Sequence, residues 1–476
     1  MFERVSMKPL PTLAAIGIAA ALAWAPAARS TPLYSARAGR TCDNCHLEPN
    51  KWENPPLADR KCTLSCESCH VDPSGGGLRN ASGRFYGRST LAAIATSPRP
   101  TMDWDRDVLH RRRDRATTYS DSLPQGPASE SERQDPRFAP HDLWAHGKPL
   151  GGSSKYAPWQ GRYGAMNADP FIRIGWDVRV ALLTGSGTLP FPMQIDLGAA
   201  VHPVEHVTVL ANVGARGRRT GIKTVVDDPA TPYLREAFLL VHEAPYRAYA
   251  KAGRFVPAFG LRIDDHTSQT RRGFELDNGV PEARVTGIEV GLNPNYPFAS
   301  LSWFRGGSQT EALENWNLFD LSPGYGGALH AGLRAEGWSV GGSVLARRRP
   351  AEHGGDATSG AVFAVFNPWH YWRNLPVVLQ AEFDFGTRSR SSGHETRQLA
   401  YYQEITWLAW NGIDFIAAQD WSDPDTEVRD DDAWRLSGGV QLTPFPGLTF
   451  DARGRLLVPA GEQTGADFFA QFHFWN

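Results

Sequence analysis

The sequence predicts an all-β membrane barrel from residue 170 to the C-terminus, and three observations carry that expectation. From Phe171 onward apolar residues recur at every second position over stretches near ten residues, the period of a strand whose two faces meet unlike surroundings. The connections between those stretches alternate between brief and long. No run after residue 30 approaches the ~20 apolar residues of a spanning helix. The 47 glycines, 35 prolines and 11% aromatic content also favour turns and strands over helices.

The chain opens on a targeting signal. Arg4 and Lys8 precede an apolar core at residues 13–24 (LAAIGIAAALAW), which leads into Ala25-Pro26-Ala27, a small-residue cleavage site. That core is too short to span comfortably, so residues 1–27 read as a cleaved secretory signal rather than an uncleaved anchor. Export places the remainder where cysteines can be oxidised or joined to cofactors. With 49 Lys+Arg against 51 Asp+Glu the formal charge is -2, which argues against a nucleic-acid partner.

All five cysteines, Cys42, Cys45, Cys62, Cys66 and Cys69, fall within one short stretch. Cys42-Asp43-Asn44-Cys45-His46 and Cys66-Glu67-Ser68-Cys69-His70 are both C-x-x-C-H, the attachment sequence for c-type haem. Two thiols at that spacing can form thioethers to the vinyl groups of one porphyrin, and the adjacent imidazole, His46 or His70, then serves as proximal iron ligand. A four-thiolate zinc site is also compatible with two C-x-x-C pairs, but it leaves the His after each pair unexplained. Cys62, Cys66 and Cys69 also have iron–sulfur-like spacing, which export disfavours. In the haem reading Cys62 is an odd cysteine with no assigned role. Candidates for the distal position are His110, His141 and His146, ranked above Met102; each is equally compatible with an exposed loop residue.

Residues 28–100 therefore form a small irregular or helical dihaem c-type cytochrome segment, with residues 91–95 as its one apolar helical patch. Residues 101–169 are a polar linker or lumen plug, mixing Pro and Ser with charges such as LHRRRDR at 109–115. The barrel follows. In its first strand Ile172, Ile174, Trp176, Val178, Val180 and Leu182 share one face, and Arg173, Gly175, Asp177 and Arg179 the other. Sixteen such segments start near residues 171, 193, 205, 232, 247, 282, 297, 325, 337, 358, 376, 397, 412, 434, 447 and 465. Brief connections at 202–205, 243–246, 293–296, 336–337 and 443–446 alternate with long ones such as 217–231, 260–281 and 306–324. An even strand count with that alternation predicts an outer-membrane antiparallel β-barrel of about sixteen strands. Period alone leaves a soluble all-β form open. The aromatic ending, residues 468–476 (FFAQFHFWN), resembles the terminal signature of outer-membrane proteins.

The signal, the approach PLYSARAGRTCDNCH at 32–46 and the C-terminal barrel together resemble the fused outer-membrane cytochrome-porins of iron-oxidising and metal-respiring bacteria. The residue-level likeness is confined to the approach to the first haem motif, and the second motif, Cys66 to His70, departs from that family's single haem. The two motifs predict two covalently attached c-type haems, and the resemblance implies that the segment carrying them sits at or in the mouth of the barrel. It also implies an electron conduit between a periplasmic carrier, such as a cytochrome, and extracellular iron, a mineral or a redox protein. Two further functions are compatible with these residues. One is a solute porin with a haem-bearing redox-sensing or gating plug, in which Arg173, Arg179, Glu382, Asp384, Arg453 and Arg455 select ions. The other is a membrane-anchored haem enzyme with an open distal site. Conduction needs no catalytic residue, so an electron-transfer protein is favoured over a substrate-turning one.

Overall fold

The computed structural model describes residues 70–79, 91, 93–94, 172–184, 188–204, 206–216, 231–263, 268, 270, 284–293, 296–305, 324–335, 337–350, 355–372, 375–389, 395–410, 412–461 and 463–475. The strands come in chain order: β1 (Ile172–Thr184), β2 (Thr188–Val204), β3 (Val207–Arg216), β4 (Thr231–Ala244), β5 (Ala248–Phe255), β6 (Val285–Leu292), β7 (Pro297–Arg305) and β8 (Tyr325–Ala335). They continue as β9 (Trp338–Arg348), β10 (Ala357–Phe366), β11 (Val377–Ser389), β12 (Glu395–Trp410), β13 (Ile413–Asp423), β14 (Ala433–Phe445), β15 (Leu448–Pro459) and β16 (Gly465–Trp475).

Each strand pairs antiparallel with its neighbour in sequence, and β1 pairs with β16, from Asp177↔Trp475 to Thr184↔Phe468, so the sheet closes into a barrel. Closure leaves no unpaired edge, the condition for a sheet to sit in hydrocarbon. The side chains are sorted as lipid on one face and polar surroundings on the other require. Along β1, Ile172, Ile174, Trp176 and Val180 are exposed on the outside, whereas Arg173 and Arg179 are buried inside. Along β15, Asp451, Arg453 and Arg455 are buried inside and Leu456 is exposed. In a soluble sandwich charged groups would face out, so this inversion resolves what the period alone left open and marks a transmembrane barrel of the outer-membrane type.

All sixteen expected segments are present. The largest displacement is in β2, which starts at Thr188 rather than near 193, because Pro190 and Pro192 interrupt the pattern without ending the strand. The aromatic ending is split between faces: Phe468, Phe472 and Phe474 are exposed, whereas Phe469 and Trp475 are buried inside. The connections β2–β3, β4–β5, β6–β7, β8–β9, β12–β13 and β14–β15 define a short-turn rim. Joining β10 to β11 at that rim is a single helical turn, α1 (Pro368–Tyr371). Strands crowd closely at Gly253 in β5, whose φ is +140° and where a Cβ would come within 2.7 Å of Phe238 Cα.

The apolar outer face yields a direct test. Val344 lies near the middle of β9 and is 51% exposed, so Val344→Arg should destabilise the barrel by about 2–4 kcal/mol if that position meets the bilayer midplane. Urea unfolding in lipid vesicles measures this, and a neutral result would remove Val344 from the lipid face.

Candidate functional site

The site is built where the stretch following the second C-x-x-C-H motif enters the lumen. His70, the last residue of that motif, pairs antiparallel with Arg79. The Val71 N–H donates to the Leu78 carbonyl at 3.0 Å, and the Gly75 N–H to the Asp72 carbonyl at 2.9 Å, so residues 70–79 form a small hairpin. Its tip needs three successive left-handed residues, supplied by Gly75, Gly76 and Gly77 with φ of 88°, 78° and 60°. Asp72 braces the tip by accepting from Ser74 N at 2.9 Å and Ser74 Oγ at 2.7 Å.

The hairpin is fastened by a buried cation. Lys251 on β5 is 1% exposed, and its Nζ lies 3.1 Å from Asp72 Oδ1, 3.0 Å from Glu289 Oε1 on β6 and 3.1 Å from Ser74 Oγ. Glu289 also accepts from the Tyr249 hydroxyl at 2.9 Å and from Ser302 Oγ at 2.7 Å. The Phe255 ring stands 4.6 Å from Nζ. Isolated in the lumen wall, Lys251 would carry a heavy desolvation cost; between two carboxylates and a hydroxyl its charge is met on several sides. Asn293 Nδ2 donates to the Pro73 carbonyl at 3.4 Å, and the Arg79 guanidinium lies 4.0 Å over the Trp475 ring at the end of β16. Further along, Ala93 N and Ile94 N donate to the Thr443 and Pro444 carbonyls at the end of β14, placing the chain at the short-turn rim.

A second inward segment meets the hairpin. Residues 256–263, which leave β5, turn into the lumen instead of continuing to the long-loop rim. There the Gly260 N–H donates to Ser343 Oγ on β9 at 2.8 Å, and the Leu261 N–H donates to Glu382 on β11. Gly260 has φ +51° and sits so close that a Cβ would overlap the Glu382 carboxylate. Arg262 Nη2 then donates to Ser74 Oγ at 3.0 Å, joining loop to hairpin. Apolar packing follows: Val71 and Leu78 belong to a buried cluster with Leu210, Phe238 and Phe259, while Leu261 and Ile263 pack with Phe363, Val378 and Tyr402. At this level the lumen is a protein interior with two cores.

Several other lumen charges are arranged in pairs along the wall. Arg453 meets Asp451 at 2.7 Å, Arg455 meets Asp467 at 2.6 Å, and Arg435 is paired with Asp420. Asp177 accepts from Arg179 at 3.2 Å and lies 3.0 Å from His473 Nε2. The six charges singled out from sequence, Arg173, Arg179, Glu382, Asp384, Arg453 and Arg455, are all buried on the lumen side.

Of the sequence-predicted haem residues, His70 is described; Cys42, Cys45, His46, Cys66 and Cys69 lie outside the described residues, as do Cys62, Met102, His110, His141 and His146. His70 pairs with Arg79, whose guanidinium lies over Trp475 at the short-turn end of β16, and it keeps part of its surface accessible. Burial, then the Arg79 and Arg262 guanidinium groups, push its imidazole down to about 3, against Asp72 and a hydrogen bond with the Gly76 backbone. The ring is therefore neutral at ordinary pH. For Asp72, burial alone would raise the carboxyl, but Lys251, Arg262 and the Ser74 hydrogen bonds outweigh it and hold the group below the usual carboxylate value. Lys251, Glu289, Arg262 and Gly260 were not singled out from sequence. No local signal marks them: Lys251 is one of two charges in the β5 sequence AYAKAGRF, the other being Arg254.

No protein-family model matches the chain, and no curated protein does. Among solved structures it is similar to a loop L8 deletion mutant of OmpT, an outer membrane protein of Vibrio cholerae, at 10% identity and TM-score 0.49 over 64% of this chain and 99% of that one. It is also similar to an anion-selective porin from Comamonas acidovorans, at 11% identity and TM-score 0.45 over 64% and 99% of the two chains. The outer membrane channel DcaP of Acinetobacter baumannii matches at 11% identity and TM-score 0.44 over 64% and 97%. The class defined by this chain's own geometry is a sixteen-strand outer-membrane-type barrel with an occupied lumen.

Lys251→Met should leave Asp72 and Glu289 buried without their shared cation, costing about 3–5 kcal/mol. Adding Asp72→Asn should recover part of that loss, because the two residues touch. Unfolding of the single and double variants measures both effects; strict additivity would show that the hairpin is not seated on Lys251.

Proposed function

We propose that this chain is an electron conduit across the outer membrane, exchanging electrons between a periplasmic carrier and an extracellular donor or acceptor such as iron, a mineral or a cytochrome. The observation that carries the reading is the placement of His70, which begins a hairpin fastened inside the lumen by Lys251. A conduit needs redox centres close enough to bridge an insulating layer, and His70, the last residue of a C-x-x-C-H motif, would tether one of them at the hairpin held by Lys251.

The donor chemistry at His70 fits a haem. Iron takes the lone pair of a neutral imidazole, and burial together with two nearby guanidinium groups keeps this ring neutral. Cys42, Cys45 and His46 would hold one haem and Cys66, Cys69 and His70 a second, and these groups would supply reversible one-electron chemistry. The chain's own residues do the rest. Lys251, Asn293 and Arg262 fix the hairpin relative to the wall, and the Arg79–Trp475 contact ties its far strand to the seam where β1 meets β16. Residues 256–263 and the two apolar clusters exclude water around it. In this reading residues 1–27 direct export and the short-turn rim faces the periplasm, since an even number of strands returns the chain to its starting side. The inward charges of the wall leave a solute porin with a haem-bearing plug as the second reading.

Full-length protein in liposomes containing a membrane-impermeant redox dye separates the two. The conduit reading expects two haems per chain by pyridine haemochrome, and dye bleaching on addition of external reductant without sugar leakage. Cys66→Ala/Cys69→Ala should reduce the count to one and bring bleaching to background while the barrel remains folded. A colourless chain, or sugar leakage with no bleaching, would overturn the conduit.

A further inference from the structure

Two glutamines lie on the face of the barrel that meets lipid, away from the hairpin and the lumen charges. On β12 the buried Tyr402 and Glu404 face the lumen, so Gln403 between them points outward; on β13 Ala418 and Asp420 are buried inside, so Gln419 does the same. The two glutamines stand directly opposite each other in the β12–β13 register. Leu399 and Ile405 share the outer face of β12, and Phe415 and Ala417 that of β13, so the pair sits within the apolar band rather than at a rim. Elsewhere the outward mid-strand positions are apolar, as at Ile174, Leu239, Ile288, Leu301 and Val344.

Gln403 Oε1 accepts from the Tyr401 hydroxyl at 2.6 Å and from Gln419 Nε2 at 3.1 Å. Those bonds use one end of each amide. Gln403 Nε2 and Gln419 Oε1 have no hydrogen-bond partner among the described residues. Turning both amides over exchanges the roles without changing the outcome, because one NH2 and one carbonyl are still left unbonded; turning only one sets like ends against each other. An acyl chain offers neither donor nor acceptor, and each polar group left unbonded in hydrocarbon carries a free-energy penalty.

The surface beside the amides lets another protein wall come close. In the adjoining outward row Ala417 pairs with Gly438, and Gly438 with Gly454. A Cβ added at either glycine would meet nothing within 4 Å, so the row is a shallow hollow. Leu436, opposite Gln419, and Leu456, opposite Leu436, stand exposed along its edge. Where apolar burial gives no drive, close packing on small residues and hydrogen bonds between polar side chains are what join proteins in a membrane. A donor and an acceptor held side by side are also self-complementary: under a two-fold axis Gln403 of each copy donates to Gln419 of the other, and one operation satisfies all four ends.

We propose that a second copy of this chain covers the outer face of β12 to β15, forming a two-fold dimer in the membrane with the Gln403 and Gln419 amides bonded across the axis and the Gly438–Gly454 hollow admitting the facing wall. The interface is independent of haem attachment and of the conduit reading.

Sedimentation of the full-length chain in detergent, and energy transfer between donor- and acceptor-labelled copies in lipid vesicles, test it. Native protein should sediment as two copies, and transfer should fall as the barrels are diluted in lipid. Gln403→Leu/Gln419→Leu should keep the strand circular dichroism, since leucine suits a lipid-facing position, and weaken self-association about tenfold or more. Gly438→Leu, whose side chain has room within one barrel, should weaken it as well by holding the two walls apart. A native particle of one copy, whether bare or retaining bound lipid, would overturn the dimer, as would a particle completed by a different protein. A dimer as tight in the folded double glutamine variant as in native protein would overturn the face assigned to it.

Discussion

A single buried ammonium group organises the interior of this barrel. Lys251 projects from a wall strand into surroundings with almost no access to water, and it is held there by one carboxylate from the wall, Glu289, and one from the hairpin, Asp72. Neither carboxylate alone accounts for the arrangement: Glu289 is further satisfied by Tyr249 and Ser302, and Asp72 by Ser74. The hairpin therefore completes the wall, and removing it would leave a buried charge half met.

That constraint propagates in two directions. Through Ser74 it reaches Arg262 and the inward loop, whose Gly260 and Leu261 cross to β9 and β11. Through Arg79 it reaches Trp475 and the seam between the first and last strands. Wall, loop and hairpin thus share cores, so the lumen at this level behaves as packed protein rather than as an aqueous channel. A redox centre tethered at His70 would adjoin a scaffold of fixed geometry, which is what the proposed conduit requires.

The barrel was legible in the sequence because lipid and lumen impose opposite chemistry on alternate residues. Ile174 against Arg173 and Leu456 against Arg455 can be read without any tertiary information. The alternation points to a later start for β2 than Thr188 because Pro190 and Pro192 disrupt it locally. The site was legible only in part. The two C-x-x-C-H motifs announce themselves by spacing, but the seat of His70 depends on Asp72 meeting Lys251, residues 179 positions apart in the chain. Nothing local distinguishes Lys251 from any other lumen charge. The inward course of residues 256–263 was hidden for the same reason: an apolar loop reads as a strand end or surface turn until Glu382 and Ser343 are known to lie opposite.

The central claim is that residues 70–79 are part of the folded lumen. Hydrogen–deuterium exchange of the full-length barrel, read on the peptide spanning these residues, tests it most directly. If the Val71 and Gly75 amides are bonded inside the barrel, that peptide should exchange as slowly as β5 and β6. Exchange at the rate of an unstructured chain while β5 and β6 stay protected would contradict the account.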